Sequence, residues 1–318
     1  MNIVLIESLG MCECAVSSRT SALKQAGHHV IYYGDRTEDE EVLIERAKDA
    51  DVVVVSNIPL KKHFFESCPK LKMLSVAFTG LDHIDLEECR KRGIIVCNAA
   101  GYSTHAVAEL AIGMMIAVYR KIIGGDAVTR TLGDRQGMLG SELYGKTVGI
   151  VGAGAIGSRV ALLANAFGCK TLFYNRSPKV IHEARQVDKD TLLRQSDIIT
   201  VHLPLNPETK GWINTAEFAK MQAQTILINT ARGPVVDQDA LYNALKKGLI
   251  AGAAVDVYDR EPPLPANLSL FNAPNLVMLP HLGYATKEAF VTRLDIVVGN
   301  IERWIKKSEE SVNPQTIV

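Results

Sequence analysis

Residues 147–157 read TVGIVGAGAIG, and this stretch decides the fold of the segment around it. The apolar run at 148–151 is typical of a buried strand, and a helix-like sequence follows the glycines at once. In such a turn the first glycine permits a tight bend, the second lets a pyrophosphate approach the backbone, and the third lets the helix pack closely. The helix N-terminus then presents free N–H groups to the phosphates. We therefore predict a dinucleotide site whose binding residues are Gly152, Gly154, Ala155, Ile156 and Gly157.

Short apolar runs alternate with amphipathic segments on both sides of this turn. In the first hundred residues we predict strands at 3–6, 30–33, 52–55, 73–76 and 94–97, with helices at 17–26, 39–50, 61–67 and 86–91. After residue 146 we predict six strands, at 148–151, 171–174, 198–201, 226–228, 253–257 and 277–279, with helices at 155–167, 188–195, 215–221 and 238–247. This alternation is typical of parallel sheets with right-handed crossovers, so the predicted fold class is α/β with two parallel sheets.

Three further segments bear on the domain organisation. Residues 102–121 predict a long helix with little polar surface, which must be buried, and the glycine-rich segment 124–144 predicts irregular structure. Residues 287–307 predict a last helix that cannot add to the second sheet, so we expect it to pack on the first domain. The predicted domains are therefore a discontinuous one, 1–100 plus 286–318, and a nucleotide-binding one, 101–285.

Bulk composition excludes several function classes. The 318 residues carry 35 Lys plus Arg against 35 Asp plus Glu, so no global field would attract nucleic acid or an anionic membrane. The most apolar span, 106–119, is interrupted by Glu109 and is too short to cross a bilayer, and the N-terminal MNIVLIE lacks the basic region of a signal peptide. We therefore expect a cytoplasmic protein with no metal site, whose six cysteines are thiols.

The loop after the strand at 171–174 bears on the choice of dinucleotide. Asn175 stands near the position where an acidic residue would bind the ribose 2′-hydroxyl of NAD. Because the acid is missing, Arg176 could pair with a 2′-phosphate, and Ser177 could donate a hydrogen bond to it. This combination favours NADP(H), with NAD(H) possible. In the alternative, Asn175 binds the ribose diol and Arg176 points to water.

Polar residues follow several other strands of the second domain. In open α/β sheets ligands lie beyond the carboxyl ends of strands, which places Arg232, Asp256 and His281 at the ligand edge. A guanidinium can bind a carboxylate through two hydrogen bonds and polarise an adjacent carbonyl. A histidine with a carboxylate partner is a standard proton donor. His202 also ends a strand, so position alone does not choose between the two histidines.

With these residues the chain resembles the D-isomer-specific 2-hydroxyacid dehydrogenases over nearly its whole length. The matching segments, in order, are TGLDHID at 79–85, STHAVAE at 103–109, the glycine turn at 152–157, NTARG at 229–233, DVYDREP at 256–262 and PH at 280–281. The resemblance implies a flavodoxin-like substrate domain in two halves, a Rossmann cofactor domain between those halves, a cleft between the domains, and a homodimer with the helix at 102–121 near its interface. It also resolves the choice of histidine in favour of His281.

The resemblance further implies roles for individual residues. The catalytic residues would be Arg232, which anchors the 2-oxo acid, His281, which transfers the proton, and Glu261, which partners His281. The substrate carboxylate would bind the loop formed by Ala77, Phe78, Thr79 and Gly80. The nicotinamide would be lined by Thr104, Thr230, Ala231 and Asp256, with Asp256 accepting from its carboxamide.

The implied activity is hydride transfer between NAD(P)H and a 2-oxo acid. Phosphoglycerate dehydrogenases of this family carry an Arg-Ser pair after the third strand, where this chain has Ser56 and Asn57, and the chain stops at Val318 without an appended regulatory domain. Both points favour a small unphosphorylated acid such as glyoxylate, hydroxypyruvate or pyruvate. The alternatives are a phosphoglycerate dehydrogenase-type activity and a non-catalytic NAD(H)-sensing binding protein.

Overall fold

The computed structural model describes residues 1–309, and the chain divides into two compact units. Met1–Ser103 and Ala285–Val318 form the first unit, and Thr104–Tyr284 forms the second. Residues 310–318, which the sequence assigned to the discontinuous domain, lie outside the described residues. Each unit is built around its own parallel sheet.

The first unit contains five parallel strands in the spatial order β2-β1-β3-β4-β5. The strands are β1 Asn2–Leu5, β2 His29–Tyr32, β3 Val52–Val55, β4 Met73–Val76 and β5 Ile95–Asn98. The helices are α1 Glu13–Arg19, α2 Ser21–Gln25, α3 Glu40–Ala47, α4 Lys62–Ser67, α5 Leu86–Lys91 and, from the second chain segment, α12 Lys287–Glu309. All four valines of β3 are buried, as expected for a central strand that helices cover on both faces.

Helix α12 belongs to the first unit through two kinds of contact. The Ser75 hydroxyl of β4 donates to the carbonyl of Val297, and Arg19 of α1 pairs with Asp295 and Glu302. These contacts tie the last helix to the first third of the chain, so a helix from the second chain segment packs against the sheet of the first unit.

The second unit contains seven parallel strands in the order β12-β11-β10-β9-β6-β7-β8. The strands are β6 Thr147–Val151, β7 Lys170–Tyr174, β8 Ala184–Gln186, β9 Ile198–Val201, β10 Ile226–Asn229, β11 Gly252–Val255 and β12 Leu276–Met278. The helices are α6 Thr104–Tyr119, α7 Ile122–Arg130, α8 Ala155–Ala166, α9 Lys189–Gln195, α10 Thr215–Phe218 and α11 Gln238–Lys246. Short 3-10 turns follow at Gly233–Val235 and Ser269–Asn272.

Helices cover both faces of this second sheet. On one face α6 and α8 bury Ala108, Met115 and Val160 against β6. On the other face α9 and α11 bury Leu192 and Leu241. Because helices cover both faces, ligands approach such a sheet at the carboxyl ends of its strands.

The predicted α/β class with two parallel sheets is confirmed, and three local predictions are corrected. Segment 124–144 is not irregular throughout, because α7 occupies part of it; Gly124 and Gly125 and the lack of buried residues hid this helix. The short, partly exposed strand β8 has no apolar run and was missed. The single helix expected at 17–26 is two, α1 and α2, which meet at Thr20.

The expectation that every cysteine is a thiol is wrong for one pair. A disulfide joins Cys12 to Cys14, while Cys68, Cys89, Cys97 and Cys169 are free. Burial raises the pKa of Cys89 to about 12 and that of Cys68 to about 11, so these two thiols stay protonated near neutral pH. Among the helices of residues 1–309, none is both long enough and apolar enough to span a membrane.

Candidate active site

The glycine turn lies where the strand order of the second sheet reverses, between β6 and β9. Gly152 has φ +94°, and a Cβ on Gly157 would lie 2.1 Å from the carbonyl oxygen of Gly152, so the fold itself requires both glycines. A Cβ on Gly154 would meet nothing within 4 Å, so that glycine faces open space. Among residues 1–309, no side chain caps the N-terminus of α8 through Gly154. The open space and the N–H groups at this helix start fit the pyrophosphate of a dinucleotide.

The loop after β7 is attached to this turn. The Asn175 side chain accepts a hydrogen bond from the backbone N–H of Ala153 at 3.3 Å and donates to the carbonyl and hydroxyl of Ser177. The structure therefore brings the predicted residues Asn175 and Ser177 beside the glycine turn. An amide at this position holds the loop without adding negative charge.

Two cations lie in this loop, and the sequence reasoning used only one of them. Arg176 is highly exposed, and its Nη1 pairs with Glu208 at 3.0 Å. Lys179 donates from Nζ to the carbonyl of Ala153 and to the hydroxyl of Ser158, so its charge lies at the glycine turn. The signal that could have found Lys179 is its place four residues after Asn175 in the same loop.

The segment after β10 forms a tight turn that is held by hydrogen bonds between its own residues. The Asn229 side chain accepts from the N–H of Ala231 and donates to the carbonyl of Arg232, both at 3.1 Å. A Cβ on Gly233 would lie 1.9 Å from the carbonyl carbon of Tyr258, so only glycine permits this close approach. The Arg232 Nη1 donates to the Ala231 carbonyl at 2.8 Å.

Thr230 carries a polar atom that the protein does not satisfy. Its Oγ1 is buried and has no hydrogen-bond partner among residues 1–309. A buried polar atom of this kind costs free energy unless a ligand or water pairs with it. Thr230 therefore fits its predicted place beside the nicotinamide. Thr104, which was predicted to line the same group, is the first residue of α6.

Asp256 holds the loop that carries His281. It is buried at the end of β11, and its two carboxylate oxygens accept from the N–H groups of Leu282 and Gly283, each at 2.7 Å. Burial raises the pKa of Asp256, and the two N–H groups partly oppose that rise. This role was missed, because sequence spacing does not show that the loop after β12 folds back over the end of β11.

His281 and Glu261 form the ion-pair geometry that was predicted for them. The Glu261 Oε2 lies 3.0 Å from the His281 Nδ1, and His281 has φ +59°, a left-handed conformation that non-glycine residues seldom adopt. The Tyr284 ring contacts the imidazole edge to face, with centroids 5.4 Å apart. Carboxylate and ring contact together fix the orientation of the imidazole.

His202, the competing histidine, has a different environment. Its Nε2 lies 2.9 Å from the Thr200 hydroxyl, and its Nδ1 is buried without a partner among residues 1–309. Burial lowers the pKa of His202 to about 3, so its imidazole is neutral near neutral pH. His202 is therefore unsuited to donate a proton, and the geometry favours His281.

The predicted carboxylate-binding loop follows β4 in the first unit. The Ala77 N–H donates to Val55 at 2.6 Å, and the Asn98 side chain donates to the Thr79 carbonyl at 2.8 Å. Within residues 1–309, the backbone N–H groups of Thr79 and Gly80 donate to no protein acceptor. Two free N–H groups on consecutive residues can bind a carboxylate oxygen. Phe78 is held by ring contacts with His83 and Tyr102.

A dinucleotide turn and a histidine–carboxylate pair at the same edge of a seven-stranded sheet define a nicotinamide-dependent oxidoreductase. Comparison with known proteins agrees. Residues 112–283 match the model for the D-isomer specific 2-hydroxyacid dehydrogenase, NAD binding domain. The chain is 41% identical over 278 residues to a glyoxylate reductase of Thermococcus litoralis, covering 83% of each protein.

Two further relatives extend the comparison. The chain is 39% identical over 274 residues to a D-3-phosphoglycerate dehydrogenase of Methanocaldococcus jannaschii, covering 84% of this chain and 52% of that protein. An acyclic imino acid reductase solved in complex with NADPH and D-Arg superposes with a TM-score of 0.88 at 30% identity, covering 100% of both chains.

The chain therefore belongs to the D-isomer-specific 2-hydroxyacid dehydrogenase family. It is an oxidoreductase that transfers a hydride between a nicotinamide cofactor and a 2-oxo acid or 2-hydroxy acid.

Proposed function

We propose that the protein reduces a small unphosphorylated 2-oxo acid of the glyoxylate, hydroxypyruvate or pyruvate class. The observation that carries this proposal is the 3.0 Å contact between His281 and Glu261, in a loop that Asp256 holds in place. A positioned imidazole of this kind can donate a proton to a carbonyl oxygen, which is the proton that reduction of a 2-oxo acid requires.

Arg232, His281 and Glu261 have different proposed roles in the reaction. The nicotinamide, when bound, supplies or accepts the hydride. Arg232 binds the substrate and draws negative charge toward the carbonyl oxygen. His281 as imidazolium protonates that oxygen, and in the oxidative direction the neutral imidazole removes the hydroxyl proton. Glu261 stabilises the imidazolium.

Each unit of the chain has its own proposed ligand. We propose that the first unit binds the substrate carboxylate through the N–H groups of Thr79 and Gly80, in the loop that also holds Ala77 and Phe78. The second unit binds the cofactor through the glycine turn, Asn175 and Thr230. Thr104, Ala231 and Asp256 complete the predicted nicotinamide surroundings, with the two Asp256 oxygens also supporting the His281 loop.

NADPH is the proposed cofactor in preference to NADH. The support is Asn175 in place of an acid, together with the charges of Arg176 and Lys179. The opposing feature is Glu208, which pairs with Arg176 at 3.0 Å. Both of these side chains are highly exposed, so the pair contributes little, and a 2′-phosphate can displace Glu208.

The cofactor proposal has a test of its own. Arg176→Ala is expected to raise the KM for NADPH about 10-fold and to leave the KM for NADH within about 2-fold. Lys179→Ala also removes the contacts with Ala153 and Ser158 at the glycine turn, so it is expected to raise both KM values, and that for NADPH more. Glu208→Gln is expected to lower the KM for NADPH, because it removes the competing carboxylate. An unchanged NADPH KM in both cation variants would mean that the 2′-phosphate is bound elsewhere.

A phosphoglycerate dehydrogenase-type activity is the second candidate, and the Methanocaldococcus jannaschii relative carries that name. Against it, the loop after β3 presents Ser56 and Asn57 instead of an arginine. Ser56 is buried, and its N–H and hydroxyl are engaged by Glu7 and Arg293. Ser56 therefore has little capacity to bind a phosphate.

A homodimer is also proposed. The support is a run of exposed apolar side chains on α7 and on the segment after it, namely Ile122, Ile123, Leu132 and Leu139. Sedimentation equilibrium should give twice the mass of one chain, and Ile123→Glu with Leu139→Glu should shift the protein to the monomer. The cytoplasmic location inferred from the sequence stays a prediction.

The main experiment is a kinetic panel. Purified protein with NADPH or NADH is mixed with glyoxylate, hydroxypyruvate, pyruvate and phosphohydroxypyruvate. Cofactor oxidation is followed by the loss of the near-ultraviolet absorbance of the reduced nicotinamide. Turnover with at least one unphosphorylated acid is expected. Turnover with phosphohydroxypyruvate alone would replace the proposal by the second candidate, and no turnover with any acid would reject it.

A further inference from the structure

A polar cluster lies at the carboxyl edge of the sheet in the first unit. The strand order β2-β1-β3-β4-β5 reverses between β1 and β3, and ligands of open α/β sheets bind beyond the carboxyl strand ends at such a point. Glu7 follows β1, Arg36 follows β2 and Asn57 follows β3. We call these three residues the switch-point cluster. None of them has a role in the hydride transfer described above.

Arg36 makes contacts on both sides of the point between β1 and β3 where the strand order reverses. Its Nη1 donates to the Glu7 carboxylate at 2.8 Å and to the Asn57 side-chain oxygen at 2.7 Å. Its Nη2 donates to Glu38 at 3.0 Å. The guanidinium is therefore anchored across the ends of β1 and β3.

Glu7 is the buried member of the switch-point cluster. Its side chain is 1% exposed, and its second carboxylate oxygen accepts from the Ser56 N–H at 2.6 Å. Burial raises the pKa of Glu7, and the Ser56 N–H and the Arg36 charge oppose that rise. Arg293 adds a second positive charge near Glu7. A buried carboxylate paired with cations is a weak source of net stability, so the effect of Glu7 here is to orient Arg36.

The exposed side of the cluster is rich in hydrogen-bond donors. Arg36 is 44% exposed. Its Nε–H, its second Nη2–H and both N–H groups of the Asn57 amide have no acceptor among residues 1–309. Such a surface fits a group that only accepts hydrogen bonds. Glu38 is 68% exposed, and an ion pair of that kind is worth about 0–1 kcal/mol, so an incoming anion can replace it.

We propose that the switch-point cluster binds a second anionic group at the far end of the 2-oxo acid, so that the enzyme also takes 2-oxo dicarboxylic acids of four or five carbons. The proposal rests on the proposed function, because it places the first carboxylate at Thr79 and Gly80 after β4. It extends the proposed reduction from 2-oxo monocarboxylic acids to 2-oxo dicarboxylic acids. Because Arg36 would bind the second carboxylate, it would determine the preference for dicarboxylic acids.

The spacing of the sheet agrees with this substrate length. Neighbouring strands lie about 4.8 Å apart, and the loop after β4 is one strand from β3 and two from β1. The cluster spans the ends of β1 and β3, so it lies about 5–10 Å from the loop after β4, and hydrogen bonds of about 3 Å at the ends of the diacid reduce the length that its carbon chain must span. The terminal carboxyl carbons of a five-carbon diacid are four C–C bonds of about 1.5 Å apart, or about 5 Å when extended. Glyoxylate is too short to reach Arg36.

The test compares substrates of equal chain length. With the protein and its reduced cofactor, kcat/KM is measured for oxaloacetate against 2-oxobutanoate and for 2-oxoglutarate against 2-oxopentanoate, with glyoxylate as the reference. At least one diacid is expected to exceed its monoacid by about 10-fold, the usual effect of a charge-assisted hydrogen bond. Phosphohydroxypyruvate forms a separate arm, and a preference for it over both diacids would assign the cluster to a phosphate instead.

Variants separate recognition from a structural role. Arg36→Gln should lower kcat/KM for the preferred diacid about 10-fold and leave glyoxylate within about 2-fold. Arg36→Lys, which keeps a charge beside Glu7, serves as the folding control and should lose less. Glu38→Gln should raise kcat/KM for the diacid about 2- to 5-fold, because it removes the competing carboxylate. An equal fall for all substrates in Arg36→Gln and Arg36→Lys would show a structural role only.

Direct binding distinguishes failure of this inference from failure of the proposed function. Glutarate has no carbonyl to reduce, and its binding is measured by calorimetry against pentanoate. Tighter binding of glutarate that Arg36→Gln abolishes would support the cluster even without turnover of any acid. Turnover of monoacids with no preference for diacids, and equal binding of glutarate and pentanoate, would overturn this inference and leave the proposed function intact.

Discussion

Two strand ends of the second sheet each carry a histidine, and only one of the two imidazoles lies beside a carboxylate in residues 1–309. After β12, His281 lies 3.0 Å from the Glu261 carboxylate, in a loop whose next two N–H groups are bound by Asp256. After β9, His202 contacts the Thr200 hydroxyl and has a pKa lowered to about 3 by burial. The difference shows that a strand-end position brings a side chain to the ligand edge but does not by itself make that side chain an acid or a base.

The largest expected fall in kcat/KM follows from the loss of the His281 imidazole. His281→Ala should lower kcat/KM by about 10²–10⁴-fold, the usual contribution of a general acid. His202→Gln serves as the matched variant at the other strand end and should stay within about 10-fold of the parent protein. Steady-state rates with the best acid of the panel measure both. Equal losses in the two variants would erase the distinction between the histidines.

Removing the charge of the partner should cost less than removing the acid itself. Glu261→Gln keeps a hydrogen-bond acceptor near Nδ1 but no longer stabilises the imidazolium, so kcat should fall about 10- to 100-fold. Glu183→Gln, which alters an exposed glutamate beside His182, is the control. A Glu261→Gln enzyme with the parent kcat would show that His281 works without its carboxylate.

The support that Asp256 provides can be weakened without changing any reacting group. Asp256→Asn retains one oxygen for two N–H donors, so the His281 loop should loosen and kcat should fall about 10-fold. Hydrogen exchange at Leu282 and Gly283 should become faster in this variant. Slow exchange together with a reduced kcat would instead assign Asp256 to contact with the nicotinamide alone.

The last expected effect concerns stability and not catalysis, and it tests the burial of His202. The pKa of His202 is about 3 in the folded protein and about 6.5 when unfolded. The unfolded chain therefore binds the additional proton first, and stability is lost as pH falls from about 6.5 toward 3. His202→Gln should reduce the loss in unfolding free energy between pH 7 and pH 5 by about 2 kcal/mol. Urea denaturation at the two pH values measures this, and an unchanged difference would contradict burial of the neutral imidazole.

The charged loop beside the glycine turn shows where sequence reasoning reached its limit. The missing acid at Asn175 could be read from spacing alone, because an α/β unit places that residue at a known strand end. The pairing of Arg176 with Glu208 could not be read, because Glu208 follows a different strand and approaches only when the sheet is assembled. The Cys12–Cys14 disulfide was missed because the cysteines were judged by composition and compartment.

Local signals in the sequence were sufficient for the α/β class, the glycine turn and the order of the strand-end motifs. Strand and helix periods, and glycines that close approach demands, act over a few residues, so they can be read along the chain. The pairing of Glu261 with His281 was already implied by the family resemblance, and the structure supplies its distance. Only the tertiary structure decided which other strand-end groups meet: Asp256 with the N–H groups of the following loop, and Arg36 with Glu7 and Asn57. The physical reason is that these contacts join loops from different strands, and the register and order of the parallel sheet set their distances.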